Sequence, residues 1–187
     1  MKTLILSLAT LTFTLSSQAA TQTLSVDSGS SELKWVGRKE PGSRTCTFPV
    51  HEGKFNIKAA EVSSGTLVLK LKEFTCTDKS LEDRLKHIPG FSIENHPDAI
   101  IKITKFQEFK TFAPGSPNAK LSGTIEILGM KKPFSIDAYF KPEDKGFRLN
   151  GTWTINTEHI GQVYRPLLEQ MNGDDLTFKL VAQGSQK

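Results

Sequence analysis

The sequence predicts an all-β protein of about eight short antiparallel strands, a barrel or a sandwich, with one or two short helices. Three observations carry this. Apolar and polar residues alternate with a period of two in one stretch after another, as strands with one buried and one wet face do. Short polar turns such as PEDKG and NGDD separate most of these stretches. No crossover helices of the kind a parallel sheet requires lie between them.

The chain of 187 residues opens with Met1-Lys2-Thr3, which carries one positive charge, and an apolar stretch from Leu4 to Leu15. Ser17-Gln18-Ala19 then places small residues three and one positions before a cleavage point. This is the pattern of a secretory signal peptide over residues 1–19, cleaved after Ala19. The apolar stretch falls well short of the roughly 20 residues a spanning helix needs, and no cysteine follows the cleavage point to carry a lipid. The expectation is a soluble mature protein, residues 20–187, folded as a single domain and secreted across the inner membrane to the periplasm. A retained anchor is the competing reading.

Within the mature chain, Leu33 and Trp35 alternate with Lys34, and Phe55 and Ile57 alternate with Lys54, Asn56 and Lys58. In GTLVLKLKEF, Leu67, Leu69 and Leu71 share one face while Lys70 and Lys72 share the other. Ser80 to His87 breaks the period; a serine cap, acids in the first turn and Pro89 beyond predict a short helix. Ile101 and Ile103 resume the alternation. LSGTIEILGMKKPFSIDAYF then reads as a hairpin. Ile125 and Ile127 lie on one arm, Phe134, Ile136, Ala138 and Phe140 on the other, with GMKKP between. Phe147, Leu149, Trp153 and Ile155 form the next strand. Tyr164 to Met171, with Pro166 near its start, predicts another turn or two of helix. Leu176, Phe178, Leu180 and Ala182 make the last strand.

Removing residues 1–19 takes one lysine and no acid, leaving 23 basic against 20 acidic residues. The charges are scattered, which argues against a nucleic-acid surface. The two cysteines, Cys46 and Cys76, make an even count for an oxidising compartment and predict one disulfide. It would close a loop worth about 3–4 kcal/mol in the chain-entropy view. Two free buried thiols are the alternative.

Catalytic signals are weak, and the chain reads as a non-enzyme with no cofactor or metal. His51, His87, His96 and His159 have no tight ligand spacing. There is no GxSxG elbow, P-loop or GxGxxG. The pairs Glu82-Asp83, Glu143-Asp144 and Asp174-Asp175 read as caps or solvated charges. An enzyme would need the helix and the His51, His87 and His96 region to converge at one mouth. Lys131 and Lys132, placed at the hairpin turn, would meet an anionic headgroup if a barrel opened there; solvated turn lysines are the simpler account. Periodicity alone leaves a packed interior and a ligand cavity both open.

Four stretches together resemble the YceI-like family of exported lipocalin-like proteins. They are SVDSGSSELKWVGRK with Asp27, Ser31 and Trp35; GKFNIKAAEVSSGTLVLKLKEF; FSIENHPDAIIKITKF with Phe91, Glu94, Pro97 and Ile101 to Thr104; and the hairpin with Gly123-Thr124-Ile125, Gly129 and Lys132-Pro133. The resemblance covers about residues 24–183. It departs at Arg84-Leu85, where the family often has His-Leu, and at Gly42-Ser43-Arg44-Thr45-Cys46, where relatives often have Gly-Ser-His-Thr-Gly. It implies an eight-stranded antiparallel lipocalin-like barrel around a hydrophobic tunnel, and in some members a polyisoprenoid ligand such as a quinone tail or prenyl lipid.

On that resemblance the chain is expected to hold an isoprenoid or similar long-chain amphiphile, for sequestration or transport. The expected lining is Trp35, Phe55, Leu67, Leu69, Leu71, Ile101, Ile103, Ile125, Ile127, Phe134, Ile136, Leu149, Trp153 and Phe178. The alternative is a filled barrel that meets a protein partner through loops 38–52 and 110–119. Transient contact with a membrane or protein fits either.

Overall fold

A strand with apolar residues at alternate positions buries one face, and a sheet of such strands curls until that face is enclosed. A computed structural model describes residues 21–38, 43–58, 61–87, 93–156 and 175–185. The strands are β1 (Thr21–Val26), β2 (Glu32–Arg38), β3 (Ser43–Lys58), β4 (Glu61–Lys70), β5 (Thr75–Cys76), β6 (Asp98–Glu108), β7 (Ala119–Ile127), β8 (Met130–Glu143), β9 (Gly146–Asn156) and β10 (Asp175–Ser185). One helix, α1 (Lys79–His87), follows β5. The expected signal peptide and the helix expected over Tyr164 to Met171 lie outside the described residues.

Eight strands close the barrel in the order β2-β3-β4-β6-β7-β8-β9-β10, with β10 returning to pair β2. All pairings are antiparallel. The two remaining strands prolong staves already present. β2 covers the first half of β3, and β1 covers the second, so β1 and β2 make one broken stave. β5 pairs Cys46 and Thr47 where β4 has left off.

The break between β1 and β2 has a local cause. Asp27 accepts bonds from the Gly29 amide and the Ser30 hydroxyl, each at 2.9 Å, which turns the chain. Ser31, buried, accepts from the Gln183 amide at 3.0 Å and locks the turn to β10. Asp27 and Ser31 are two of the positions that carry the family resemblance.

Three expectations are corrected. Residues 43–52 belong to β3, not to a loop. The cause is a bulge at His51: Cys46, Phe48 and Val50 face inward before it, and Phe55 and Ile57 after it. Leu71, expected on a strand, starts a 3-10 turn over Leu71–Glu73 and is buried there. The hairpin turn is Leu128-Gly129, not GMKKP, and Lys131 and Lys132 lie in β8. Both turn residues have positive φ, 52° and 76°, which fits the twist a two-residue hairpin needs.

Gly129 is therefore held twice. A side chain there would be strained, and its Cβ would come 2.7 Å from the His96 ring. Gly123 has a different reason: β6 bulges beside it, and a Cβ would strike the Lys102 carbonyl oxygen. We expect Gly129→Ala to cost about 1–3 kcal/mol, the scale of a residue forced into a sparse backbone region. Denaturant unfolding checks it; a loss under about 0.5 kcal/mol, the surface-substitution range, would contradict it.

The predicted disulfide joins Cys46 to Cys76, residues directly opposite each other on β3 and β5. Replacing both with alanine should lower stability by about 3–4 kcal/mol if loop closure dominates. Paired urea melts of the wild type and the double variant measure this.

Candidate functional site

All fourteen expected lining residues fall within one interior apolar cluster. Ten are buried, and Ile127, Phe134, Trp153 and Phe178 are half-buried against them. Those four stand toward the end of the barrel that carries α1 and the β7–β8 turn. This is the helix end; the far end carries the β8–β9 turn and residues 109–118.

The aromatic rings inside form two groups. At the helix end six rings run in a continuous series: Phe74, Phe48, Trp35, Phe178, Trp153 and Phe134. Their centroids are 5.2–6.3 Å apart at each step. Strand register builds the middle of it, because Trp35 on β2 opposes Phe178 on β10, which opposes Trp153 on β9. The planes of Trp35 and Phe178 differ by 5°, and those of Phe178 and Trp153 by 13°. At the far end Phe55, Phe147, Phe140 and Phe106 make the second group. Phe55 packs onto Gly65 and Phe147 onto Gly184, where a side chain would collide with the rings.

Sequence reasoning named Trp35, Phe134, Trp153 and Phe178 of the first series and missed Phe48 and Phe74. Phe48 sits before the bulge, in the stretch read as a loop. Phe74 lies between a 3-10 turn and the two-residue β5, where no period can register.

Polar anchoring is concentrated beside this series. Asp78, rather than Ser80, caps α1: its side chain accepts from the Leu81 amide at 3.1 Å. Leu81 and Leu85 point into the core. Between them Glu82 is buried and accepts from Lys79 at 2.8 Å, Lys86 at 2.7 Å and the Cys76 amide at 2.8 Å. Lys86 also lies over the Phe74 ring. The Lys79 and Lys86 ammonium groups, then the Cys76 amide, hold the Glu82 carboxyl down to about 2 against an opposing cost of desolvation.

Lys131 and Lys132 are separated by strand parity. Lys131 faces outward opposite Glu126, whereas Lys132 shares the inward parity of Phe134 and Ile136. Both are exposed, so Lys132 is a rim residue at the helix end. His51, His87 and His96 are exposed with different neighbours: His87 reaches the Asp83 carbonyl oxygen at 2.7 Å, and His96 packs on Gly129. His159 lies outside the described residues. Among the described residues no cluster of His, Cys, Asp and Glu has the make-up to hold a metal, and no helix is long and apolar enough to cross a membrane.

A closed eight-stranded antiparallel barrel encloses an interior that side chains fill or that holds one small ligand. The chain matches the YceI-like domain over residues 24–183 and belongs to that family. A UPF0312 protein of Pseudomonas syringae pv. tomato is 28% identical over 142 residues, 71% of either chain. Among solved structures, BcnA of Burkholderia cenocepacia superposes with a TM-score of 0.67 at 14% identity, covering 84% of this chain and 98% of its own. A domain from Saccharophagus degradans, described as polyisoprenoid binding and implicated in plant cell wall breakdown, gives 0.61 at 12% identity, covering 88% and 98%.

The Glu82 cluster yields a pH prediction. A carboxylate depressed from 4.5 to about 2 in the folded state contributes stability that is complete above pH 4.5. That contribution falls away as pH drops toward 2. Glu82→Gln should cost about 1.5–3 kcal/mol near neutrality, the range for hydrogen bonds to a charged group. The gap between wild type and variant should close on acidification through that window. A gap independent of pH, read from melts at several pH values, would contradict the assignment.

Proposed function

We infer that this protein holds an isoprenoid or similar long-chain amphiphile inside its barrel, as a carrier or sequestering protein and not as a catalyst. The observation that carries the reading is the continuous apolar interior, aromatic at both ends, with Ile127, Phe134, Trp153 and Phe178 half-buried at one of them. A long isoprenoid offers few polar handles, so a dry elongated lining and almost no specific polar groups suffice to bind it. Each buried methylene contributes about 0.8 kcal/mol. Membership of the YceI-like family and likeness to a domain described as polyisoprenoid binding support the same ligand class. The leader read over residues 1–19 supports export to the periplasm, where the carrier would meet membrane lipids or a receiving protein.

A second reading, a filled barrel that binds a protein partner through its loops, draws on Phe112. That residue is 55% exposed in the segment between β6 and β7, within the expected 110–119 loop.

Native mass spectrometry of protein taken gently from the exported compartment tests both. The expected outcome is a chain beginning at Ala20 with an adduct whose released mass fits an isoprenoid. A different lipid would reject the ligand class and keep the cavity. A clean apo mass, with no uptake of added prenyl lipids, would overturn the carrier and favour the loops. A chain that keeps residues 1–19 would overturn the leader.

A further inference from the structure

Every stave of the barrel is paired on both sides over part of its length, which fixes its register, but the ladder between β4 and β6 stops early. Its last pair toward the far end is Gly65–Ile103. From Glu61 to Ser64, β4 is paired to β3 alone, and beyond Ile103, β6 is paired to β7 alone. The bulge at Thr104 turns β6 aside at this level. β8 and β9 also part, beyond Asp137–Thr152, but there Phe134 and Trp153 stack across the gap. Between β4 and β6 the side chains turn elsewhere: Thr104 reaches the Ser122 carbonyl oxygen, and Phe106 lies edge-on to Phe140.

Exposure follows the parting. Ala99, Ile101 and Ile103 are buried in the paired half of β6, whereas Thr104, Lys105, Gln107 and Glu108 are exposed and Phe106 is half-buried. The Phe109 amide donates to the Asn118 carbonyl oxygen at 2.8 Å. Bonding groups alternate sides along an antiparallel strand. Phe106 and Glu108 therefore turn their amide and carbonyl groups away from β7, toward the place β4 has left. The strand is braced from behind, because the Asn118 side chain bonds the Phe140 amide and carbonyl oxygen on β8, each at 2.7 Å. The outer face beside the open side is cationic. Lys54 and Lys102 share one outer row through Thr66, and Lys105 follows on β6. None of the three is in an ion pair among the described residues. The acids Glu52 and Glu108 lie at the two limits of this patch.

We propose that the open side of β6, from Thr104 to Glu108, receives an extended acidic segment of another protein as an added strand. The main chain of that segment bonds the free groups of Phe106 and Glu108. Its acidic residues, at alternate positions, meet Lys102 and Lys105, and an apolar residue between them packs on Phe106. Lysines and a bulge discourage pairing with a second copy, whose own lysines would crowd the same face, and they favour a partner of opposite charge. Such docking needs no ligand inside the barrel, so it goes beyond the carrier reading and stands or falls apart from it.

Amide exchange in the 15N-labelled mature chain tests the open side first. The Gln107 and Phe109 amides, bonded to β7, should exchange at least about tenfold more slowly than those of Phe106 and Glu108. A capped hexapeptide of alternating glutamate and valine should then move the Phe106 and Glu108 amide signals downfield and slow their exchange. It should bind about tenfold more tightly than its lysine–valine counterpart, and replacing both Lys102→Gln and Lys105→Gln should erase that preference. Glu108→Pro removes an amide that bonds nothing, so the variant should melt as the wild type does and lose the peptide; Gln107→Pro breaks a bond to β7 and should melt lower. Phe106 and Glu108 amides as protected as that of Gln107 in the free chain would overturn the proposal, since the side would then be covered. Equal binding of the two peptides, or of neither at millimolar concentration, would overturn it too. Lysine-dependent binding to phosphatidylglycerol vesicles with no peptide bound would overturn it in favour of a lipid surface.

Discussion

Closure is the constraint on which the rest of this molecule depends. With β10 paired to β9 on one side and β2 on the other, the barrel sheet has no free edge to trade register along. A slip of one residue in any stave would turn its leucines and phenylalanines to water. The chain meets this demand by breaking strands rather than bending the rule. β3 runs through sixteen residues and serves β2 and β5 with one half, β1 and β4 with the other. The His51 bulge moves its inward set from even to odd positions, so both halves keep their apolar side within. At the β6 bulge Ile101 and Ile103 face in before Thr104, Phe106 after it, and Gly123 lets the distorted β6 backbone press against β7.

The helix end is held by different means. β5 has two residues, too few to hold its place by strand pairing alone. It is fixed by the Cys46–Cys76 bond to β3 and by the Cys76 amide given to Glu82. Glu82 in turn ties down α1 through Lys79 and Lys86, while Leu81 and Leu85 are buried in the core and Lys86 lies over the Phe74 ring. A covalent cross-link and a buried carboxylate thus seat the helix over one side of the ring series. Across the Trp35–Phe178–Trp153 row, Trp35 is buried and Phe178 and Trp153 are half-buried against the core.

Much of this was legible in the sequence because period-two alternation survives wherever a strand is regular. Leu67 and Leu69, Ile101 and Ile103, Ile136, and Leu149 could be placed inside from parity alone, and the cysteine count gave the cross-link. What could not be read shares one physical property: the signal is non-periodic or non-local. His51 and Pro49 hide the first half of β3, since a bulge reverses parity in mid-strand. Leu71 keeps the spacing of a strand while the backbone has left it. The turn at Leu128-Gly129 was displaced toward the lysines because leucine rarely takes positive φ. Here that cost is offset by burying the Leu128 side chain. Glu82 looked like an acid of a first helical turn, and only the fold brings the Cys76 amide and two ammonium groups to it.

The two ends of the interior differ in chemistry. At the far end Phe55, Phe140 and Phe147 are buried against glycines, with no polar side-chain atom in the ring group. Close packing and dispersion account for that end completely. At the helix end the same logic would select phenylalanine at 35 and 153 too. A tryptophan there adds ring area, but it also brings an N–H whose burial without an acceptor costs about 1–3 kcal/mol each time. Two such donors, Trp35 and Trp153, stand in one row without an acceptor among the described residues.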